Sequence, residues 1–169
     1  MAGTAVLGAP RARPPLYTPD QQARRDASPW TVVQAVLAPL QLLVCLGSIV
    51  LVARFLATGD GWGWAAGSVA LKTALLYLIM VTGSIWEHEV FGKWLFAEAF
   101  FWEDVVSFIV IALHTAYLAG WLVAAWAPTT LATLALVAYG VYLINAGQFL
   151  WKLRLARRDR AALSAGGAP

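Results

Sequence analysis

The sequence predicts an all-α polytopic membrane protein, a four-transmembrane-helix bundle with both termini cytoplasmic. Three observations predict it. Of 169 residues, 60% are hydrophobic and only 12% charged, whereas roughly a quarter of an ordinary soluble domain is charged. Residues 27–53 and 105–151 carry no formal charge, counting His114 as neutral, and about 20 apolar residues suffice to cross a bilayer. The basic residues gather at the chain ends: Arg11, Arg13, Arg24 and Arg25, then Lys152, Arg154, Arg157, Arg158 and Arg160. Basic flanks mark the cytoplasmic side. A mean hydropathy of +0.68 excludes a disordered chain and a charge-driven nucleic-acid binder. The single cysteine, Cys45, excludes a disulfide framework and a multi-cysteine zinc or iron–sulfur site.

Residues 1–29 read as a flexible cytoplasmic segment, the first fifteen rich in Ala, Gly, Pro and Arg. Ser28 and Pro29 form a helix start, with Ser28 as cap and Pro29 in the first turn. The transmembrane domain occupies 30–155, with helices near 31–56, 64–86, 102–126 and 130–152. Pro39 is a candidate kink in the first. The second is interrupted by Lys72 and closed by Glu87, His88 and Glu89. The long uncharged run divides at Pro128, which ends one helix, while Thr129 and Thr130 can cap the next. Residues 156–169 read as a flexible cytoplasmic tail. All nine tryptophans fall at predicted helix ends or in connections, as interfacial anchors do. No cleavable signal peptide is visible, because the first long apolar run is long enough to span.

Polar groups inside such a bundle carry either packing or chemistry. At 100° per residue the first helix places Gln34, Gln41, Cys45 and Ser48 within an arc of about 60°. Interhelical hydrogen bonding is the favoured role for that stripe. On the third helix Glu103, Ser107, His114 and Tyr117 share a stripe, Glu103 and His114 standing roughly 16 Å apart in height. On the fourth, Tyr142, Asn145, Gln148 and Lys152 cover one face. Lys72 is the most deeply placed charge; it either pairs with an acid from another helix or holds a substrate carboxylate. His88 and His114 lie at different depths, so a shared bis-histidine haem is not expected.

The connection between the second and third helices is the least ordinary segment. Five of the nine acids, Glu87, Glu89, Glu98, Glu103 and Asp104, lie there among Phe91, Trp94, Phe96, Phe100, Phe101 and Trp102. Acids set among aromatics at a membrane surface lose water, which favours the protonated carboxyl that a general acid needs. A solvated loop with its aromatics dipped into headgroups is the plain alternative.

Several segments together resemble the 3-vinyl bacteriochlorophyllide hydratase family. They are LYTPDQQARRDASPW at 16–30, MVTGSIWE at 80–87, FFWED at 100–104 with HTAY at 114–117, and INAGQFL at 144–150. The likeness covers roughly 16–155. It implies a multi-pass protein of a bacterial inner (cytoplasmic or intracytoplasmic) membrane that hydrates the C3-vinyl group of chlorophyllide a, or of its bacteriochlorin analogue, to a 1-hydroxyethyl group on the route to bacteriochlorophyll. Its partners would be the (bacterio)chlorophyllide, the lipid bilayer and neighbouring pigment-biosynthesis enzymes, with no nucleic acid. No cofactor or metal is expected beyond the magnesium carried by the substrate. With the resemblance in hand, Glu103 is the leading candidate for general acid, and Asp104 or Glu87 for the base that orients water. His88 or His114 is the candidate ligand of the pigment magnesium, and Lys72 or Lys93 the candidate partner of its propionate. Trp94, Trp102, Tyr117 and Asn145 complete the expected pigment contacts. A non-catalytic scaffold or pigment-delivery subunit is the alternative function. Oligomeric state leaves no mark in the sequence.

Overall fold

The computed structural model describes residues 15–166 and is all-helical over them. Its elements are α1 (Pro19–Ala27), α2 (Pro29–Thr58), α3 (Trp62–Phe91), α4 (Phe101–Leu122) and α5 (Pro128–Gly166). Four of these, α2 to α5, are long and apolar enough to cross a bilayer. The expectation of disorder for the first fifteen residues falls almost entirely outside the described part.

The spans coincide with the hydropathy reading, but helix ends do not. Hydropathy stops where the bilayer stops, whereas a helix stops where its backbone bonding stops. Thus α3 runs past Glu87 to Phe91, where Gly92 takes a left-handed φ of 75°, a conformation open to glycine at little cost. Helix α5 continues to Gly166 through the stretch assigned to a flexible tail. Helix α4 ends earlier than expected, because Ala124 turns left-handed and the Ala125 N–H closes on Gly120 O. Pro128 opens α5 rather than closing α4, at the first-turn position where its missing N–H costs nothing. Helix α2 runs unbroken through Pro39.

Within the stretch assigned to a flexible segment, Pro19–Ala27 forms α1, opened by a capping box between Thr18 and Gln21. It packs on α3. Tyr17 stacks on Phe91 at 5.7 Å and carries the Arg25 guanidinium 4.7 Å above its own ring. Leu16 N–H donates to Asp159 Oδ2, and Arg160 donates to Asp26. Both terminal segments and the 92–100 connection therefore meet at one end of the bundle, called here the charged end. Hydrogen bonds and charge from Arg25, with the charge of Arg160, hold the Asp26 carboxyl below its ordinary range. A carboxyl depressed on folding stabilises above its unfolded pKa and loses that contribution as pH falls through the folded value. Docking of α1 is therefore expected to loosen below about pH 4, by under about 1 kcal/mol for so exposed a pair. Asp26→Asn should abolish that pH dependence in limited proteolysis near residue 20.

The bundle is inside-out relative to a soluble domain. Val32, Val36, Leu43, Val50, Val81 and Ile144 face outward, while Ala65, Ala66, Ala132, Ala135 and Ala138 fill the seams. Lipid is as apolar as leucine, so close backbone approach and interhelical hydrogen bonds hold the helices together. Helices α2 and α3 show this as a ladder. Gln34 donates to Thr82, Gln41 Nε2 to Leu75 O, and Ser48 meets both Ser68 and Tyr139. Ser28 is the N-cap residue of α2, as expected, but makes no side-chain cap bond; its hydroxyl donates to Glu89 on α3 instead. The α2–α3 and α4–α5 pairs pack closely and join through α2 and α5, whereas α3 and α4 touch little.

The α4–α5 corner rests on Gly120, where an added Cβ would stand 2.3 Å from Trp126 Cε3. Gly120→Ala is expected to cost about 1–3 kcal/mol, as overpacking does, read as a lower melting temperature in detergent. The Trp126→Ala background should recover most of the loss.

Candidate active site at the charged end

Glu87 lies in the last turns of α3 and Asp104 in the first turn of α4, each no more than 5% exposed. The 92–100 connection folds back over them. Phe96, held at a left-handed φ of 59°, donates its N–H to Asp104 Oδ2 at 2.7 Å, and Ala97 donates to Glu87 Oε2 at 3.3 Å. Strained non-glycine backbone of this kind persists only where its surroundings enforce it. The two carboxyl groups are thus buried together under one connection. Two like charges held side by side out of water repel each other.

Glu103, one residue earlier on α4, faces a different seam. Lys152 Nζ of α5 lies 3.6 Å from Glu103 Oε2 and donates to Ala99 O. One turn deeper, Asn145 Nδ2 donates to Ser107 Oγ at 2.7 Å. Glu103 Oε2, Asn145 Oδ1 and Gln148 Oε1 are buried acceptors with no hydrogen-bond donor.

Two aromatic clusters form at the same end of the bundle. Phe91, Phe100 and Trp86 meet edge-on at 5.6–5.8 Å, with Phe149 stacked on Phe100. In the second cluster Phe96 stacks on Phe108 at 5.4 Å and tilts against Phe101. Beyond Phe108, the gap between α3 and α4 is a groove of about 490 Å³ lined by Met80, Val81, Ser84, Ile85, Trp94, Leu95 and Phe108. Trp94 O accepts from Ser84 at its upper rim, and a Tyr77–Thr115 hydrogen bond crosses from α3 to α4 below it. His88 stacks on Trp94 at 4.2 Å, and Lys93 next to it is exposed and loosely paired with Glu98 at 3.9 Å. Trp102 is exposed, edge-on to Phe101.

Thus the structure brings Glu87 and Asp104 together, sets Glu103 and Asn145 on the neighbouring α4–α5 seam, and leaves His88, Lys93 and Trp94 at the groove mouth. It does not bring Lys72, His114 or Tyr117 there. These are sealed deeper in the bundle, with Cys45, Tyr139 and Tyr142. Lys72 Nζ donates to Gln41 Oε1 at 2.8 Å and sits 3.7 Å from the centre of the Tyr142 ring. No carboxylate among the described residues pairs with it. His114 Nδ1 bonds Val110 O, one turn back on its own helix. Sequence reasoning missed Ser107, Gln148 and Lys152 as site residues. The signal was present, since Gln148 and Lys152 follow Asn145 at i+3 and i+7 on the stripe already recognised.

The sequence model described as 2-vinyl bacteriochlorophyllide hydratase matches residues 17–155. A protein of that name from Rhodobacter capsulatus is 60% identical over 156 residues, covering 92% of this chain and 90% of the relative. One from Cereibacter sphaeroides is 61% identical over 148 residues, covering 87% and 91%. No solved structure matches.

Proposed function

The chain belongs to the 2-vinyl bacteriochlorophyllide hydratase family, and from that premise we propose that it adds water across the C3-vinyl group of chlorophyllide a or its bacteriochlorin analogue. The observation that carries the assignment of the site is the pair of buried carboxyl groups, Glu87 and Asp104, each about one turn along its helix from a residue lining the apolar groove between α3 and α4, Ser84 and Phe108; we read the pair as holding one proton between them. The flat macrocycle enters sideways from the bilayer and lies along Met80, Val81, Ile85 and Phe108, with Trp94 against one face. The carboxyl pair donates its proton to the terminal vinyl carbon. That leaves a cation on the ring-attached carbon, which the macrocycle delocalises. Water attacks this carbon and gives up a proton, and the product carries a 1-hydroxyethyl group.

This assignment exchanges two roles expected from the sequence. The Glu87–Asp104 pair becomes the acid because two carboxylates buried together favour keeping one proton, and Glu103 is left free of that task. His88 and Lys93 at the groove mouth are the groups that reach the pigment magnesium and propionate. The protein acts in a bacterial inner membrane with the charged end cytoplasmic, beside the enzymes that pass pigment to it.

The test is direct. Membranes containing the protein, incubated with chlorophyllide a, should yield a blue-shifted pigment heavier by one water. Pigment that binds but returns unchanged would favour a scaffold or delivery subunit.

A further inference from the structure

Three buried oxygens along one seam accept no hydrogen bond: Glu103 Oε2, Asn145 Oδ1 and Gln148 Oε1. Asn145 and Glu103 are 6% and 5% exposed. The seam is continuous. On α4, Glu103 and Ser107 stand one turn apart; on α5, Asn145, Gln148 and Lys152 follow at i, i+3 and i+7. Contacts pin both ends, Lys152 to Glu103 at 3.6 Å and Asn145 to Ser107 at 2.7 Å, so Gln148 lies between them. The Asn145 amide nitrogen is committed to Ser107, and its oxygen is left buried without a donor.

All three unmet groups are acceptors, so they call for a hydrogen-bond donor or a cation. A carboxylate, a carbonyl or an anion does not fit, and the ammonium of Lys152 already supplies the local positive charge. A magnesium macrocycle has no ring N–H to offer. The reaction does include one small donor with two hydrogens: water.

Resting on the hydratase reading above, we propose that this α4–α5 seam holds the nucleophilic water, with Glu103 as its base. The water gives one hydrogen bond to the Glu103 carboxylate and one to the carboxamide oxygens of Asn145 and Gln148. Its lone pair is then left for carbon. The electron pair of the vinyl group takes the proton from the Glu87–Asp104 pair and forms the new C–H bond. A lone pair of the water forms the C–O bond, and the water's proton passes to Glu103. One water is consumed, and the proton on Glu103 returns to the adjacent carboxyl pair to reset the site. Lys152 is a positioning residue, holding Glu103 across the seam.

Turnover in deuterium oxide tests this. The wild type should place one deuterium in the product methyl group and little in recovered substrate. Gln148→Met keeps the side chain's length and removes the acceptor. It should slow hydration about 10²-fold, as misplacing a reactant does, while proton donation to the vinyl carbon continues. The cation then loses a proton back to the carboxyl pair, and deuterium accumulates on the terminal vinyl carbon of recovered substrate. Gln148→Glu, which keeps an acceptor oxygen, should restore part of the hydration. Normal hydration by Gln148→Met would overturn the proposal. So would a parallel loss of hydration and deuterium uptake, which a merely structural role predicts. A wild-type rate that depends on added sodium or potassium would put a cation on these oxygens and overturn it too. A wild type that forms no hydrate removes the hydratase reading itself.

Discussion

Glu87→Gln lowers vinyl hydration by about 10²–10⁴-fold, the usual contribution of a positioned general acid, while pigment binding and helical content stay near those of the wild type. The amide oxygen still accepts from Ala97 N–H, and the amide nitrogen can donate to Asp104, so both contacts that fasten the 92–100 connection survive. What glutamine lacks is a proton that can leave for carbon. Asp104→Asn has the mirror-image consequence, because Phe96 N–H keeps an acceptor and the shared proton is again lost. Single-turnover rates in detergent, set beside a pigment-binding titration, make the measurement. Either variant turning over at the wild-type rate would remove the pair from the mechanism. Glu103→Gln should also be slow, but through loss of the base rather than the acid.

Lys72 gives the second large effect, on stability rather than rate. Its ammonium is fully buried, bonded to Gln41 and set over Tyr142. It lies fifteen residues from Glu87 on α3, about 22 Å along the axis. Lys72→Ala empties a volume that nothing else fills, at a cost of about 2–5 kcal/mol for a large-to-small change. It also strands the Gln41 oxygen at a further cost of about 1–3 kcal/mol. Lys72→Met fills the space and strands the same oxygen, but removes a charge that insertion scales set at about 2.5–3.5 kcal/mol near the bilayer centre. The alanine variant should melt far below the wild type and the methionine variant close to it. Hydration by Lys72→Met should show an unchanged KM, whereas Lys93→Met at the groove mouth should raise it. A rise of about tenfold in KM with Lys72→Met, equal to about 1.4 kcal/mol of binding, would instead put the substrate carboxylate on Lys72.

Much of this site was visible as chemistry and invisible as geometry. The acids among aromatics at 87–104 marked the segment in which the structure buries carboxyls, because loss of water around a carboxyl depends on composition that can be read locally. Which acid holds the proton could not be read. That depends on the 92–100 connection folding back to bury side chains from two different helices together. Lys72 is the reverse case. An isolated charge in an apolar span stands out in the sequence, but its partners Gln41 and Tyr142, from two other helices, do not. The stripe of Asn145, Gln148 and Lys152 was readable from spacing, but its facing partners Glu103 and Ser107 were not.

By itself the sequence determined that four helices cross a membrane and gather both tails at one end, and it carried the likeness to a hydratase family over nearly the whole chain. Span length, charge placement and segment identity are properties of the chain read along its length. Only the tertiary structure decided that α3 and α4 part to leave a groove, that Glu87 and Asp104 are buried together under the 92–100 connection, and that Glu103 faces Lys152 instead. Hydrogen bonds of this kind are made at about 3 Å between residues distant in sequence, and no periodicity along one helix specifies which face of another it will meet.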